Sequence, residues 1–236
     1  MAATLLEVRD VRLSFGGVRA LDGVDLTVSD AHSFWGLIGP NGSGKTTLFN
    51  LVGGIYTPHS GTLSGSSLAR HRGTVPGLGR TFQHPRVFAR LTARENLLAA
   101  SGGLRRGVAE RRADELIDLL ELGPVGQRRS GELSVGQQKL VELARALMRD
   151  PQLVLLDEVA AGIHPRLRSQ IAGHLRVLAG QGTSFLIIEH DMGFLMDLCS
   201  HIYCLAHGKT IADGTPEEIR NDEFVAKEYL GSRHHD

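Results

Sequence analysis

The stretch Gly39-Pro40-Asn41-Gly42-Ser43-Gly44-Lys45-Thr46-Thr47 limits what this chain can fold into more than any other, because it satisfies G-x-x-x-x-G-K-[ST] in a context where that pattern has chemical meaning. Before it, Phe34-Trp35-Gly36-Leu37-Ile38 reads as a short buried strand. After it, Lys45 to Val52 reads as a helix with Leu48, Leu51 and Val52 on one face, closed by Gly53-Gly54. A strand, a glycine-rich turn and a helix N-terminus gather backbone N–H groups, align the helix dipole with an anion and keep Cβ atoms out of its way. Lys45 is placed to reach the β- and γ-phosphates of a nucleoside triphosphate, and the Thr46 hydroxyl to ligate Mg²⁺.

With 236 residues, 42% of them hydrophobic, the chain can bury one substantial α/β core. Lys and Arg number 26, as do Asp and Glu, so no global basic field argues for a nucleic-acid partner. Cys199 and Cys204 suit small buried hydrophobes in a reducing compartment better than a disulfide framework. The N-terminus lacks the basic start and long apolar run of a signal peptide, and no apolar stretch reaches membrane-spanning length. The expected location is cytoplasmic, with any membrane attachment made through partners.

In chain order, Leu6 to Ser14 and Val24 to Val28 alternate apolar and polar residues, with Gly16-Gly17 and Asp22-Gly23 as turn signals between them. An antiparallel sheet is expected there. Phe15 is either a core ring or one that stacks on a purine. Thr57 to Gly61 reads as a turn, the stretch onward to Gly79 as a short irregular hairpin, and Gly79 to Gln83 as a brief strand. Between about Pro85 and Met148 the pattern becomes helical: Thr92 with Glu95 forms a capping box, and Ala113, Leu116, Ile117 and Leu120 form an apolar stripe stopped by Gly123-Pro124. The arginines at 105, 106, 111 and 112 read as a solvated face, with a headgroup or partner contact as the alternative. Ser134 with Gln137 caps a helix carrying Leu140, Leu143, Ala144 and Leu147 inward; its N-terminus is either an ordinary cap or a second phosphate site.

Leu153-Val154-Leu155-Leu156 is a continuous apolar run ending in Asp157-Glu158, the way a buried parallel strand delivers acids to a nucleotide site. Asp157 can hold the Mg²⁺ shell and Glu158 can orient and polarise a water for in-line attack. Phe185 to Ile188 repeats the pattern and ends at Glu189-His190-Asp191, where His190 is either a γ-phosphate neighbour or a plain loop residue. A helix from Pro165, closed at Gly180 to Gly182, links the two strands as a right-handed crossover. The tail adds a strand at Ile202 to Leu205, a His207-Gly208 hairpin turn and a helix opened by Thr215-Pro216. Phe224, Val225 and Tyr229 are expected to dock a last short helix.

In this order the elements resemble the nucleotide-binding subunit of ABC transporters over nearly the whole chain. Most specific is the phosphate loop followed by Leu133-Ser134-Val135-Gly136-Gln137 about twenty residues before Leu156-Asp157-Glu158. The resemblance implies a P-loop α/β domain with a mixed or parallel core sheet, an N-terminal antiparallel β subdomain, and a helical signature subdomain at 85–148 set between core segments 1–84 and 149–236. It further implies that Phe15 and Val18 meet the adenine end of ATP, that Gln83 is the lid glutamine near Mg²⁺, and that Ser134, Gly136 and Gln137 form the signature. By the same resemblance Glu158 is the general base, with Lys45 and His190, the switch histidine, completing the catalytic set. Two subunits of this family pair head to tail, so ATP lies between the phosphate loop of one and the signature of the other. A finer resemblance, through Phe15-Gly16-Gly17-Val18, Gly79-Arg80-Thr81-Phe82-Gln83, Glu189-His190-Asp191-Met192 and Tyr229-Leu230-Gly231, is to the ATPases of branched-chain amino acid importers.

That implies integral-membrane permeases as partners, a homodimer or a heterodimer with a second ATPase, a solute-binding protein acting indirectly, and a place at the inner face of the membrane. It also implies an apolar groove near Gln83, about Leu91 and Leu97, that accepts a permease helix. The chain departs from the family at Val159, where proline is usual, at His164, where Asp or Asn is usual, in the short region 61–79, and at His32, where glycine is usual. These departures bear on turnover and partner choice. A weakly active regulatory subunit and the ATPase of another ABC system are the competing readings.

Overall fold

The computed structural model describes residues 2–30, 33–68 and 77–230, without the side chains of Tyr229 and Leu230. His32 and much of the 61–79 region lie outside the described residues. The elements run β1 (Thr4–Phe15), β2 (Val18–Ser29), β3 (Phe34–Ile38), α1 (Lys45–Val52), β4 (Ser60–Ser64), β5 (Leu78–Arg80), α2 (Ala93–Ala99), α3 (Arg106–Leu119) and α4 (Val135–Leu147). They continue with β6 (Leu153–Asp157), α5 (Pro165–Gly180), β7 (Ser184–Ile188), α6 (Met192–Leu198), β8 (His201–Ala206), β9 (Lys209–Gly214), α7 (Pro216–Asn221) and a short turn, α8 (Glu223–Val225), that runs into a π-helical turn at Ala226–Leu230.

Two sheets result. A three-stranded antiparallel sheet has the order β2-β1-β4, and a six-stranded sheet has the order β5-β6-β7-β3-β8-β9, parallel except for β9. The central strands β3, β6 and β7 are buried at every position and almost wholly apolar because both of their faces are covered. Along β6, Leu153 and Leu155 join one core cluster while Val154 and Leu156 join the other; along β7, Leu186 and Ile188 oppose Phe185 and Ile187 in the same way. One cluster packs α1 and the small sheet onto the large sheet, and the second packs α2 to α6 onto the opposite face. Because the strands are parallel, the segments leaving β3, β5, β6 and β7 all emerge at one edge, which is where α/β sheets place their ligands.

Four local expectations are corrected. Asp22-Gly23 is not a turn: it lies inside β2 at a register shift, where Gly23 takes φ 96 and the Asp22 N–H donates to Gly208 O at 2.7 Å. Ser60–Ser64 and Leu78–Arg80 do not pair as a hairpin, because the first pairs with β1 and the second with β6 in the other sheet. The α3 stripe ends earlier than Gly123-Pro124, with Leu120 as C-cap and Glu121 at positive φ. Phe224 is 52% exposed, and Val225 alone of the described docking residues enters the core. The other signals hold: capping boxes at Thr92 and Ser134, a helix opened at Thr215-Pro216, a two-residue His207-Gly208 turn with both φ positive, and two buried free cysteines. In the basic run, Arg106 pairs with Glu110 on the solvent side, while the part-buried Arg112 reaches Asp150 and donates to Leu147 O.

Candidate active site

The loop leaving β3 is held in shape before any ligand arrives. A Cβ on Gly39 would lie 1.9 Å from Leu205 O, and one on Gly44 would lie 2.6 Å from Ala20 O, so both positions need glycine for close approach as well as for their positive φ. The Gly208 N–H donates to Ser43 O at 3.0 Å, tying the loop to the β8–β9 turn. Lys45, 7% exposed, folds back so that Nζ donates to Gly39 O at 2.7 Å and Pro40 O at 3.0 Å. Burial lowers its pKa, against the opposing pull of Glu158 and Asp157.

Asp157 ends β6 at 3% exposure, and its backbone N–H donates to Thr81 Oγ1 at 3.1 Å, which joins it to the end of β5. Burial pushes its carboxyl above the ordinary range, while Arg80 and Lys45 oppose the shift. Glu158 follows at φ 53, a left-handed conformation that costs a non-glycine residue about 1 kcal/mol or more. Its N–H is fixed by Ile188 O at 2.9 Å. That geometry turns the carboxylate back toward the sheet edge, where Gln83 Nε2 donates to Oε2 at 3.0 Å and His190 Nε2 meets Oε1 at 3.0 Å. Segments following three different strands therefore meet on one carboxylate. They enclose a cleft of about 330 Å³ lined by Val18, Asn41 to Thr47, Gln83, Glu158 and His190.

Phe15 stands beside Val18 at the β1–β2 turn, 43% exposed, with its ring edge-on to Tyr56 at 5.1 Å. Ser134, Gly136 and Gln137 are not brought to this cleft. Ser134 Oγ accepts from the Gln137 N–H at 3.3 Å, Gln137 Oε1 accepts from the Ser134 N–H at 3.1 Å, and the neighbouring Val135 is 56% exposed. The chain thus presents two separate surfaces, each with a helix N-terminus, and one carries the acid-amide-imidazole cluster. Facing the nucleotide loop, this arrangement can bind phosphates, hold a hard cation on oxygen ligands and take a proton from water.

The groove beside Gln83 differs from expectation. Leu97 is fully buried in the core and Leu91 is part-buried; a groove of about 460 Å³ nearby is bordered by Phe82, Arg86, Val87, Phe88, Ala100 and Arg145. Val159 is buried at 3%, and His164 caps α5 by accepting the Arg166 N–H at Nδ1, 3.3 Å away. Charged residues that the pattern reading passed over also serve the site. Lys139, Glu142 and Glu189 are each buried at 4% or less against its loops, and Glu189 alone carries a sign in the sequence, a charge just past the end of an apolar strand.

Residues 21–161 match the family model described as ABC transporter. The chain is 37% identical to the high-affinity branched-chain amino acid transport ATP-binding protein BraF of Pseudomonas aeruginosa, over 98% of this chain and 99% of that one. It is 35% identical to the lipopolysaccharide export system ATP-binding protein LptB of Haemophilus influenzae, over 98% of each chain. Among solved structures it is similar to an ATP-binding cassette of an ABC transporter in its ADP conformation, with a TM-score of 0.81, 32% identity, and coverage of 97% of this chain and 99% of that one. The phosphate loop, the strand-end acids and these full-length matches lead to one conclusion: the chain belongs to the ABC transporter family, as an ATPase subunit.

Proposed function

We propose that this subunit hydrolyses ATP to power import of branched-chain amino acids or a similar small solute through membrane permeases. One observation carries the catalytic part: Glu158 is held between Gln83 and His190 at the mouth of the phosphate loop. In this reading Lys45 exchanges the Gly39 and Pro40 carbonyls for β- and γ-phosphate oxygens, which gives a charge-assisted contact in place of two neutral ones. Phe15 and Val18 hold the base. Glu158 accepts the proton of the attacking water, and His190 keeps the carboxylate and the γ-phosphate in register. Thr46, Gln83 and Asp157 offer hydroxyl, amide and carboxylate oxygens suited to Mg²⁺, and the buried Asp157 carboxylate is one that a cation would stabilise. When bound, Mg²⁺ supplies positive charge to the phosphate oxygens.

The separation of Ser134, Gly136 and Gln137 from the cleft supports a head-to-tail pair, in which these residues complete the site of a second ATPase subunit. Residues 85–148 would act as the helical arm between nucleotide and permease. Among the described residues no helix is long and apolar enough to cross a membrane, so attachment at the inner face would come through the permeases. Similarity to BraF favours amino-acid import; similarity to LptB favours a second reading, the ATPase of a different ABC system.

Replacing Glu158 by Gln tests the chemistry, since the amide keeps size and shape but takes no proton. ATP affinity should hold while phosphate release falls by roughly 10²- to 10⁴-fold, and an ATP-dependent dimer should accumulate on size exclusion. A variant as active as wild type, or a wild type inactive even beside its permeases, would remove the motor reading.

A further inference from the structure

Helix α4 carries charges that its inward apolar stripe does not explain. Lys139, Glu142 and Arg145 follow one another at spacings of three, so they share a helix face. Lys139 Nζ donates to Glu158 O at 2.6 Å and to Ala161 O at 2.7 Å. Glu142 accepts the Arg86 N–H at 2.8 Å and the Phe82 N–H at 3.3 Å, and Arg145 Nη1 donates to Arg86 O. One ridge of one helix therefore grips the backbone of two loops, the loop that presents Gln83 and the loop that begins with Glu158. From the far side, Glu189 Oε1 accepts the Ala160 N–H at 2.5 Å, so the second loop is pinned from two directions.

Burial opposes the charge on both α4 residues, lowering the Lys139 pKa and raising that of Glu142. An apolar pair would avoid that cost but leave Ala161 O and the Phe82 and Arg86 N–H groups without these partners, and Glu158 O with the Ala161 N–H at 3.2 Å alone. The same helix begins at Ser134, on the surface that stands away from the cleft.

We propose that Lys139 and Glu142 are positioning residues that couple the Ser134 end of α4 to the side chains of Glu158 and Gln83. The inference rests on the reading of Glu158 as base and of Ser134 as a contact to the nucleotide of a second subunit. A shift of α4 that seats Ser134 on that nucleotide carries both loops with it, because the helix is stiff and the loop backbones are bonded to its side. Glu158 and Gln83 then reach the γ-phosphate together, and only when the second subunit is engaged.

The test uses the full chain with Mg-ATP and the variants Lys139→Met, Lys139→Arg, Glu142→Gln and Glu158→Gln. Lys139→Met should lower kcat at least about 10-fold with KM and nucleotide affinity within about 2-fold, and Lys139→Arg should retain most of the rate. Lys139→Met placed on Glu158→Gln should add no further loss, as expected of residues acting through one group. Amide exchange should quicken by about 10-fold or more at Ala160 in Lys139→Met and at Phe82 and Arg86 in Glu142→Gln, with α4 itself still protected. Unchanged exchange at those amides overturns the clamp. Quickened exchange with unaltered kcat, or a parallel loss of affinity, reduces it to a packing role. If Glu158→Gln were as active as wild type, or the wild type inactive, the underlying reading would fail on its own, and the exchange result would still decide whether the clamp exists.

Discussion

Glu189 sits one residue before His190, 2% exposed, and burial raises its carboxyl to about 7 despite the Ala160 N–H and the Lys139 charge. The neighbouring Glu158 charge adds to the rise. A carboxyl whose folded pKa exceeds its unfolded value favours the protonated native state, so it reduces stability as pH climbs from the unfolded value toward about 7. Glu189→Gln keeps an acceptor for Ala160 and removes the titration. Relative to wild type, its urea midpoint should therefore rise between about pH 5 and about pH 7.5, with no change in sign. A gap between the two proteins that stays constant with pH would show that Glu189 does not titrate in this range. Residues of this kind mark where the sequence falls silent. Lys45, Asp157 and Glu158 were legible because strand and helix patterns place them at element ends. Lys139 and Glu142 look like the polar side of an amphipathic helix, and only the folded chain reveals loop backbone, not water, against that side.

Three helices open on reciprocal capping boxes, Thr92 with Glu95, Ser134 with Gln137 and Thr215 with Glu218; the first two are legible as boxes in the sequence, the third as a helix start. Losing a cap hydroxyl costs about 1 kcal/mol of stability wherever it occurs. Thr92→Ala and Ser134→Ala should thus lower the melting temperature by similar amounts, while Ser134→Ala alone should weaken ATP-dependent dimerisation of the Glu158→Gln protein. Equal effects on dimerisation would make Ser134 an ordinary cap. At this scale the parallel strands were legible through unbroken apolar runs, since both faces are covered. The β2 interior was not: Asp22-Gly23 has the composition of a turn, and only the Asp22 N–H bond to Gly208 O and the pairing with β1 keep it within the strand.

For the whole molecule, a mixed core sheet with an antiparallel N-terminal part and the family are legible in motif order, but the strand order β5-β6-β7-β3-β8-β9 is not, and neither is the burial of Leu97 beneath the groove near Gln83. Helical periodicity marks Leu97 as apolar but does not say whether its helix buries or displays it; packing of α2 against α3 and α4 buries it completely. Phe88, half exposed with the Arg145 guanidinium 4.8 Å from its ring centroid, takes that place. Phe88→Asp should reduce copurification with the cognate permeases and permease-stimulated hydrolysis by about 10-fold or more, yet leave nucleotide affinity of the isolated subunit unchanged. Full retention of both would move the docking surface elsewhere. The phosphate loop, by contrast, is laced to its surroundings: Ser43 O to the Gly208 N–H, Gly208 O to the Asp22 N–H, and Gly39 closed against Leu205 O. Its backbone has little conformational freedom left to lose. The entropy of shaping this loop around ATP is therefore already spent in folding at this end of the molecule, before any nucleotide arrives.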